Sequence, residues 1–562
     1  MPARPVRRRR SATRALEFLL KSHYLADEIP SVVTTTPFAL FCAANYATLP
    51  PADEGLKRVT MYGIFSAHRT TQTRRVLALP HPASQLALCQ ILAENRDEIA
   101  KTIRRSGLTL YNTKEDVAHD RLFVGIDFDA RTAREAEVLA RYPFVLVADI
   151  ANFFHTVYSH SLPWAVLGKQ SVKDTLDLDR QDPRRRAFNG HWVSRLDTAT
   201  QRGNSRETFG IPVGPDTSRI LAELLLSGLH SNTTLAEILK DREGYRLVDD
   251  FFIGFDDEAS ARRCLDVLRH ALWEYNLHLN DGKTRIDRSS TFFDGGWRHE
   301  IDNFPIPEDD ELKQRESVQR LMELTLQHCH RRSESLPASF FCARLTKLSI
   351  AIANFNFVRD CLLRIARDFT NCLKSVVRFA TLYRPHFGDT NALNVMRRWC
   401  HQMFVAHTPR GHDLEISSTL IICGVLGIKV DRAFAAMDEQ NPSPVVLAAL
   451  GLLSADGLLD GEWDAWRPDA GDVGHLVNGR YWLPHYEAVR RGWTQDVALS
   501  EAFKKDAFFA QLLAAGVTFL DDSDFKSLAA PDVDDWLGFL ENITAPRAPV
   551  RSGRSTMVDR YE

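Results

Sequence analysis

The spacing of apolar and polar positions divides the chain into two regimes. From about Leu16 to Ile301, short β-branched and aromatic runs alternate with helical stretches. VLVADI (Val145–Ile150) reads as a strand, Ser218–His230 as a helical segment, and YRLVDDFFIGF (Tyr245–Phe255) as strand, turn and strand. That is an α+β pattern. From about Glu311 onward, apolar positions recur at helical spacing in Val318–Cys329, Cys342–Ala353, Phe357–Leu382, Leu393–Phe404, Leu414–Leu426, Val445–Leu453, His485–Arg491 and Glu501–Leu513. Short breaks of Pro, Gly and polar residues separate them, as in TPRGHD (Thr408–Asp413) and NPSP (Asn441–Pro444). A run of helices this long predicts stacked pairs, as in an α-solenoid, without a clean repeat period. The predicted organisation is a basic tail over 1–15, an α+β domain over 16–310, an all-α domain over 311–545 and a disordered tail over 546–562.

Composition narrows the classes. With 562 residues, 44% hydrophobic and 25% charged, the chain is ordinary globular protein of two or three domains. A net charge of −3 excludes a protein that grips nucleic acid over its whole surface, but leaves room for a local basic channel. The longest apolar runs, around Leu420–Ile428 and Val445–Leu453, are too short to span a bilayer, so no membrane partner is expected. No apolar stretch follows Arg7–Arg10, so no secretory signal is expected, and this basic run reads as a solvated, disordered end or a phosphate-contacting tail. Nine scattered cysteines without a C-x-x-C pair fit a reducing cytoplasm and no structural zinc. In His328-Cys329-His330, adjacent helical positions point to different faces and form no shared ligand site.

Three stretches carry candidate chemistry. In RLVDDFFIGF, apolar residues flank a pair of aspartates, which predicts a hairpin presenting Asp249 and Asp250 at its turn. Turn chemistry alone explains such a pair. Asp149, however, closes a buried apolar strand, a costly place for a carboxylate unless a cation neutralises it, and oxygen donors suit Mg²⁺. Asp149 and Asp249 lie 100 positions apart, yet neighbouring strands of one sheet would bring them together. Converging carboxylates repel, so the group makes physical sense as a clamp for two Mg²⁺ ions, with Mn²⁺ as a substitute, in nucleotidyl transfer. Between them, in FGIPVGPDTSR (Phe209–Arg219), Gly210 and Gly214 bracket Pro212, giving a sharp turn that a ligand can approach closely. Asp216, Thr217 or Ser218 would cap the helix that follows.

The order Asp strand, Gly-Pro loop with helix, and Asp-Asp hairpin resembles motifs A, B and C of the reverse-transcriptase palm. The resemblance implies a right-hand fingers-palm domain whose catalytic carboxylates are Asp149, Asp249 and Asp250, with the Ile150 carbonyl as a further metal ligand. VTMYGIFSAHRTTQTRRVLALPHP, ending at Pro82, looks like the fingers strands; Arg75 then matches the family's triphosphate-holding arginine, with Arg74 a second candidate. LHLNDGKT (Leu277–Thr284) looks like motif D, whose lysine, here Lys283, protonates the leaving pyrophosphate. FFDGGW (Phe292–Trp297) is similar to the motif E primer grip. Phe154 stands five residues after Asp149, where the family places its steric gate against a 2′-hydroxyl; a core aromatic is the competing reading, since Phe153 beside it would face the other way on a strand. Gly210, Pro212 and Gly214 join the implied nucleotide-binding set. Two positions depart from the family: Leu247 replaces an aromatic residue and Val213 a frequent glutamine, both normally in contact with nucleotide or template.

HTVYSHSLPWAVLGK (His155–Lys169), LLKSHYLADEIPSVVTTTPFA (Leu19–Ala39), GIPVGPDTSRILAE, HDLEIS (His412–Ser417) and YWLPHYEAVRRGW (Tyr481–Trp493) look like the bacterial abortive-infection and defence-associated reverse transcriptases, which carry a C-terminal helical-repeat (HEAT-like) domain. This resemblance implies antiphage defence by DNA synthesis from dNTPs, in some members without a nucleic-acid template and primed from a protein tyrosine. The helical domain then stands where a thumb would and assists homo-oligomer formation, and a phage or accessory factor acts as trigger. Tyr24, Tyr62 and Tyr111 in the polymerase half and Tyr561 in the tail are candidates; none is marked as a primer by its sequence context. Two other readings compete. One is a conventional reverse transcriptase of a mobile element, copying a template RNA. The other is a non-catalytic palm that senses nucleic acid or scaffolds a partner.

Overall fold

The computed structural model describes residues 3–69, 73–240, 242–292, 296–332, 334–431, 443–460 and 473–523. Apolar spacing along the first segment produces helix α1 (Ala3–Ser22), which buries Ala12, Ala15, Leu16, Leu19 and Leu20. Residues 3–15, expected as a tail, therefore belong to a helix that enters the core. Next comes the antiparallel hairpin β1 (Gly63–His68) and β2 (Arg74–Leu79), paired from Gly63↔Leu79 to His68↔Arg74. Helix α2 (Pro82–Glu94) starts where Pro82 follows His81, whose ring accepts the Ala83 N–H, and it is buried along nearly its whole length against α1.

A four-stranded sheet forms the centre of this half. It contains β3 (Phe144–Asp149), β4 (Gly244–Leu247), β5 (Asp250–Phe255) and β6 (Arg285–Arg288) in the order β4-β5-β3-β6, every pair antiparallel. Strand alternation sorts its faces. Leu146, Ala148, Phe251, Ile253 and Phe255 point into the main core, while Val145 and Phe252 join Val138 and Tyr245 in a smaller cluster on the other face. After β3 the chain makes one helical turn, α3 (Phe153–Thr156), and later the largely buried α4 (Asp216–Ser227).

From Glu311 the described residues are mostly helical, with breaks that periodicity does not show and with one short parallel strand pair, Val430–Asp431 and Leu459–Asp460, where an all-α domain was expected. The described helices include α5 (Glu311–Arg332), α6 (Leu336–Leu345), α7 (Phe355–Asp368), α8 (Leu373–Leu382), α9 (Thr390–His407), α10 (Asp413–Leu426), α11 (Pro444–Ala455), α12 (Trp482–Arg491), α13 (Val497–Lys505) and α14 (Ala507–Ala514). The helix expected over Cys342–Ala353 stops at Leu345, because buried Gln314 captures backbone beyond it: its amide donates to the Ser349 carbonyl and accepts the Ala351 N–H, both at 3.0 Å. The single helix expected over Phe357–Leu382 breaks at 369–372. That expected over Glu501–Leu513 breaks at Asp506, whose carboxylate accepts the Phe508 and Phe509 N–H groups at 3.1 Å and caps α14.

Neighbouring helices pack in pairs, and α10, buried at every position, contacts α8, α9, α11 and strand β1. The end of the described chain returns to its beginning. Leu520 bridges Val33, the Thr34 N–H donates to the Phe519 carbonyl at 2.9 Å, and the Phe519 ring lies 5.4 Å from that of Phe38. Among the described residues, no helix is long and apolar enough to cross a membrane. The expected tail at 546–562 lies outside the described residues.

Candidate active site

Strand pairing brings the three aspartates together. Asp149, the last residue of β3, is the register partner of Asp250, the first residue of β5. Directly opposed residues share one face, with Cβ atoms about 5 Å apart. Leu247↔Asp250 closes the β4–β5 hairpin over a two-residue turn, Val248-Asp249, and the Asp249 carbonyl accepts the Ile150 N–H at 3.2 Å. Val248 has φ +53°, the left-handed position that primed hairpin turns ordinarily give to glycine. A β-branched residue there carries on the order of 1–3 kcal/mol of strain.

The LHLNDGKT segment runs alongside. Ile150 bridges Leu279, the Asn280 N–H donates to the Asp149 carbonyl at 2.7 Å, and the Ala151 N–H donates to the His278 carbonyl at 2.8 Å. A tight turn follows, in which the Asn280 side chain accepts the Gly282 N–H, and it delivers the Lys283 ammonium to 2.5 Å from Asp149 Oδ2. Lys283 therefore faces the carboxylate group directly.

Asp149 is 4% exposed, Asp249 half-buried and Asp250 exposed. Burial, then the charges of Asp250 and Asp149, push the Asp249 carboxyl up to about 7, against the opposing pull of Lys283. Asp149 Oδ2 is buried, and its neighbour there is the Lys283 ammonium at 2.5 Å. Three carboxylates converge here, and the Lys283 ammonium pairs with the most buried of them. Such a set of hard oxygens fits a divalent cation. The Ile150 N–H faces the Asp249 turn, and in an extended residue the carbonyl shares that side, so this oxygen lies on the aspartate edge as well.

The other expected residues divide into those near this centre and those engaged elsewhere. The Ile211 N–H donates to the Phe154 carbonyl and the Gly210 N–H to the Val157 carbonyl, both at 2.8 Å, so the Gly-Pro loop is stitched to the turn that follows Asp149. Phe154 is half-buried and packs edge-on against Phe153 at 5.5 Å. The two rings meet because they stand on a helical turn; strand alternation would have sent them to opposite faces. Gly210 and Gly214 have φ +85° and +111°, as a sharp turn through Pro212 requires. The close approach at Gly214 is made by the protein itself: a Cβ there would meet Ala26 Cβ at 2.6 Å. Val213 gives its carbonyl to the Ala78 N–H of β2 at 2.9 Å, and Leu247 is half-buried.

Pro215, without a side-chain bond, occupies the position expected for a capping Asp216, Thr217 or Ser218. Asp216 instead sits among Arg121, Arg219 and His23. Burial alone would raise its carboxyl, but Arg219, the His23 hydrogen bond and Arg121 hold it far below the usual carboxylate range.

Arg75 lies 3.5 Å from Glu28. Arg74 grips Glu415 of α10 with two bonds, at 2.6 and 2.8 Å, and reaches the Ser66 hydroxyl and carbonyl. Tyr24 is fully buried with its hydroxyl on the Pro80 carbonyl, and Tyr111 is 5% exposed, so neither presents a hydroxyl for priming; Tyr62 is half-buried. Phe293, Asp294 and Gly295 of the FFDGGW stretch, and Tyr561, lie outside the described residues.

Sequence reading passed over two buried charges that support this centre. Arg246, 1% exposed on β4, pairs with Glu223 of α4, also 1% exposed. The available signal was the intrusion of a charge into each apolar run, YRLV and ILAELLL, since a buried charge demands a partner. His407, His412 and Glu415 also bring ligand-type atoms within 4.8 Å of one another. Arg74 already occupies both Glu415 oxygens, and burial joined by Arg74 and Arg410 holds both imidazoles below their ordinary value. Those surroundings disfavour a cation.

No family model matches the chain, and no curated protein matches it. Among solved structures it is similar to a telomerase from Candida albicans in complex with a TWJ fragment of telomeric RNA, at 13% identity over 63% of this chain and 67% of that chain, TM-score 0.25. It is also similar to apo telomerase from Candida tropicalis, at 12% identity over 74% of this chain and 69% of that chain, TM-score 0.30. TM-scores this low carry no argument, and the reading of the site rests on its own geometry.

Proposed function

We propose that this chain is a cytoplasmic nucleotidyl-transferring polymerase of the reverse-transcriptase type that makes DNA from dNTPs in antiphage defence. The observation that carries the reading is the convergence of three carboxylates: Asp149 and Asp250 are register partners on β3 and β5, Asp249 stands beside them in the β4–β5 turn, and Lys283 pairs with Asp149. Asp149, Asp249 and Asp250, with the Ile150 carbonyl, are the residues that would hold two Mg²⁺ ions. Bound there, the ions would supply charge neutralisation for attack by a 3′-hydroxyl and departure of pyrophosphate. Lys283, 53% exposed at the rim beside Asp149, is the residue placed to give a proton to that leaving group. The half-buried Phe154 ring, tied through its carbonyl to the Gly-Pro loop, is the candidate floor under the sugar.

The helical half, in contact with the fingers hairpin through α10, occupies the role of a thumb and an oligomer-forming domain in this proposal. Synthesis without a template is supported by the departures at Leu247 and Val213, the latter committed to β2 through its carbonyl. Priming from a tyrosine would exclude Tyr24 and Tyr111, which are buried.

The test is purified protein with each labelled dNTP and Mg²⁺, beside Asp249→Ala, Asp250→Ala. Incorporation by the wild type and its loss in the double variant is the expected result. Incorporation that survives the substitutions would overturn the site assignment. Product from nuclease-treated enzyme that faithfully copies an added RNA would instead favour a conventional templated enzyme.

A further inference from the structure

The strained turn at Val248 needs something to hold it, because a backbone in a sparsely populated conformation persists only where its surroundings over-determine it. Arg246 is two residues away and fully enclosed. Its Nη1 donates to the Val248 carbonyl at 2.8 Å. The same guanidinium forks onto Glu223, Nη1 to Oε1 at 3.0 Å and Nη2 to Oε2 at 2.8 Å, and Glu223 Oε2 also accepts the Thr109 hydroxyl at 2.7 Å. The Arg246 backbone is anchored on the same segment: its N–H donates to the Leu108 carbonyl at 2.6 Å, and its carbonyl accepts the Leu110 N–H at 3.1 Å. A buried ion pair is weak evidence for stability, since apolar side chains of similar volume often serve as well. What apolar side chains cannot supply is a donor aimed at one carbonyl of one turn.

We infer that Arg246, oriented by Glu223 and Thr109, is a positioning residue that locks the Val248-Asp249 turn in its left-handed form and so directs the Asp249 carboxylate toward Asp149 and Asp250. This role rests on reading the three aspartates as the cation-binding centre of a polymerase. It acts through the turn, without touching substrate.

The test compares wild type with the pair Arg246→Met, Glu223→Met, which removes both charges at near-constant volume, and with that pair carrying Val248→Gly, which relieves the backbone strain. Four quantities are read on the full chain: melting temperature, Mn²⁺ dissociation constant by electron paramagnetic resonance, and kcat and KM for dNTP incorporation. The Met pair is expected to stay folded, to bind Mn²⁺ roughly 10-fold more weakly and to lose about 10-fold in kcat with little change in KM. Val248→Gly is expected to restore most of the Mn²⁺ affinity, because glycine adopts positive φ without a partner. A folded Met pair with wild-type Mn²⁺ affinity overturns the inference. Should the Met pair fail to fold, Arg246→Lys replaces it, since a lysine lacks the fork; weaker Mn²⁺ binding rescued by Val248→Gly supports the role, and unchanged binding overturns it. Wild-type protein that binds Mn²⁺ through Asp249 but incorporates no nucleotide overturns the polymerase reading instead, and the Mn²⁺ comparison still decides the role of Arg246.

Discussion

Replacing Arg74 by methionine deletes a guanidinium from a carboxylate that has almost no access to water. Glu415 is 1% exposed; it accepts Arg74 Nη1 at 2.6 Å and Nη2 at 2.8 Å, and the Thr370 hydroxyl at 2.6 Å. Burial would raise its carboxyl, but the Arg74 hydrogen bonds and charge, with Thr370, reverse this and hold it below its ordinary value. Arg74→Met leaves Glu415 with the hydroxyl and a buried charge, a change that costs about 3–5 kcal/mol in comparable pairs. Arg74 is 23% exposed, so water can partly replace it, and about 3 kcal/mol is the working figure. Arg74→Met, Glu415→Met removes both charges and should recover most of that, giving a coupling of at least about 2 kcal/mol in a double-mutant cycle. The assay is denaturant unfolding of the full chain at pH 8, for wild type, both single variants and the double variant. The reasoning is refuted if Arg74→Met costs under about 1 kcal/mol and the coupling is near zero, since the clamp would then contribute little. If Arg74 serves a triphosphate and releases Glu415 to do so, Arg74→Met would raise KM for dNTP while stability stays unchanged.

Two other outcomes follow from the same geometry. Lys283→Ala should lower incorporation at saturating dNTP by about 100-fold, and a variant retaining half the rate would remove Lys283 from the reaction. Asp413, buried against β1 with its carboxylate accepting the Ser66 N–H at 2.7 Å, is raised by burial from 3.8 to about 7. A carboxyl raised on folding stabilises fully below its unfolded value and loses that contribution as pH climbs to about 7, so melting should fall between pH 4 and pH 7.5 and flatten in Asp413→Asn; parallel profiles for the two proteins would sink this account.

Local patterning of the chain was enough to specify the pieces of the centre. A carboxylate ending an apolar strand, a pair of aspartates between apolar runs, and glycines around Pro212 each specify their own backbone, because strand alternation, turn chemistry and positive φ are short-range demands. The helices of the second half were legible for the same reason, as at Leu414–Leu426, observed over Asp413–Leu426, although long stretches such as Phe357–Leu382 proved to be two helices. Where the long-range partners fall came from packing. Asp216 looks like a helix cap and is the hub of two arginines and a histidine; Arg74 looks free to hold a ligand and is claimed by Glu415, 341 positions away; Arg246 looks like a lone charge in a strand and reaches Glu223 and the Val248 carbonyl. Sequence fixes which charges must find a partner, because burying one alone is too costly, but the partner's identity depends on which distant segments packing brings together.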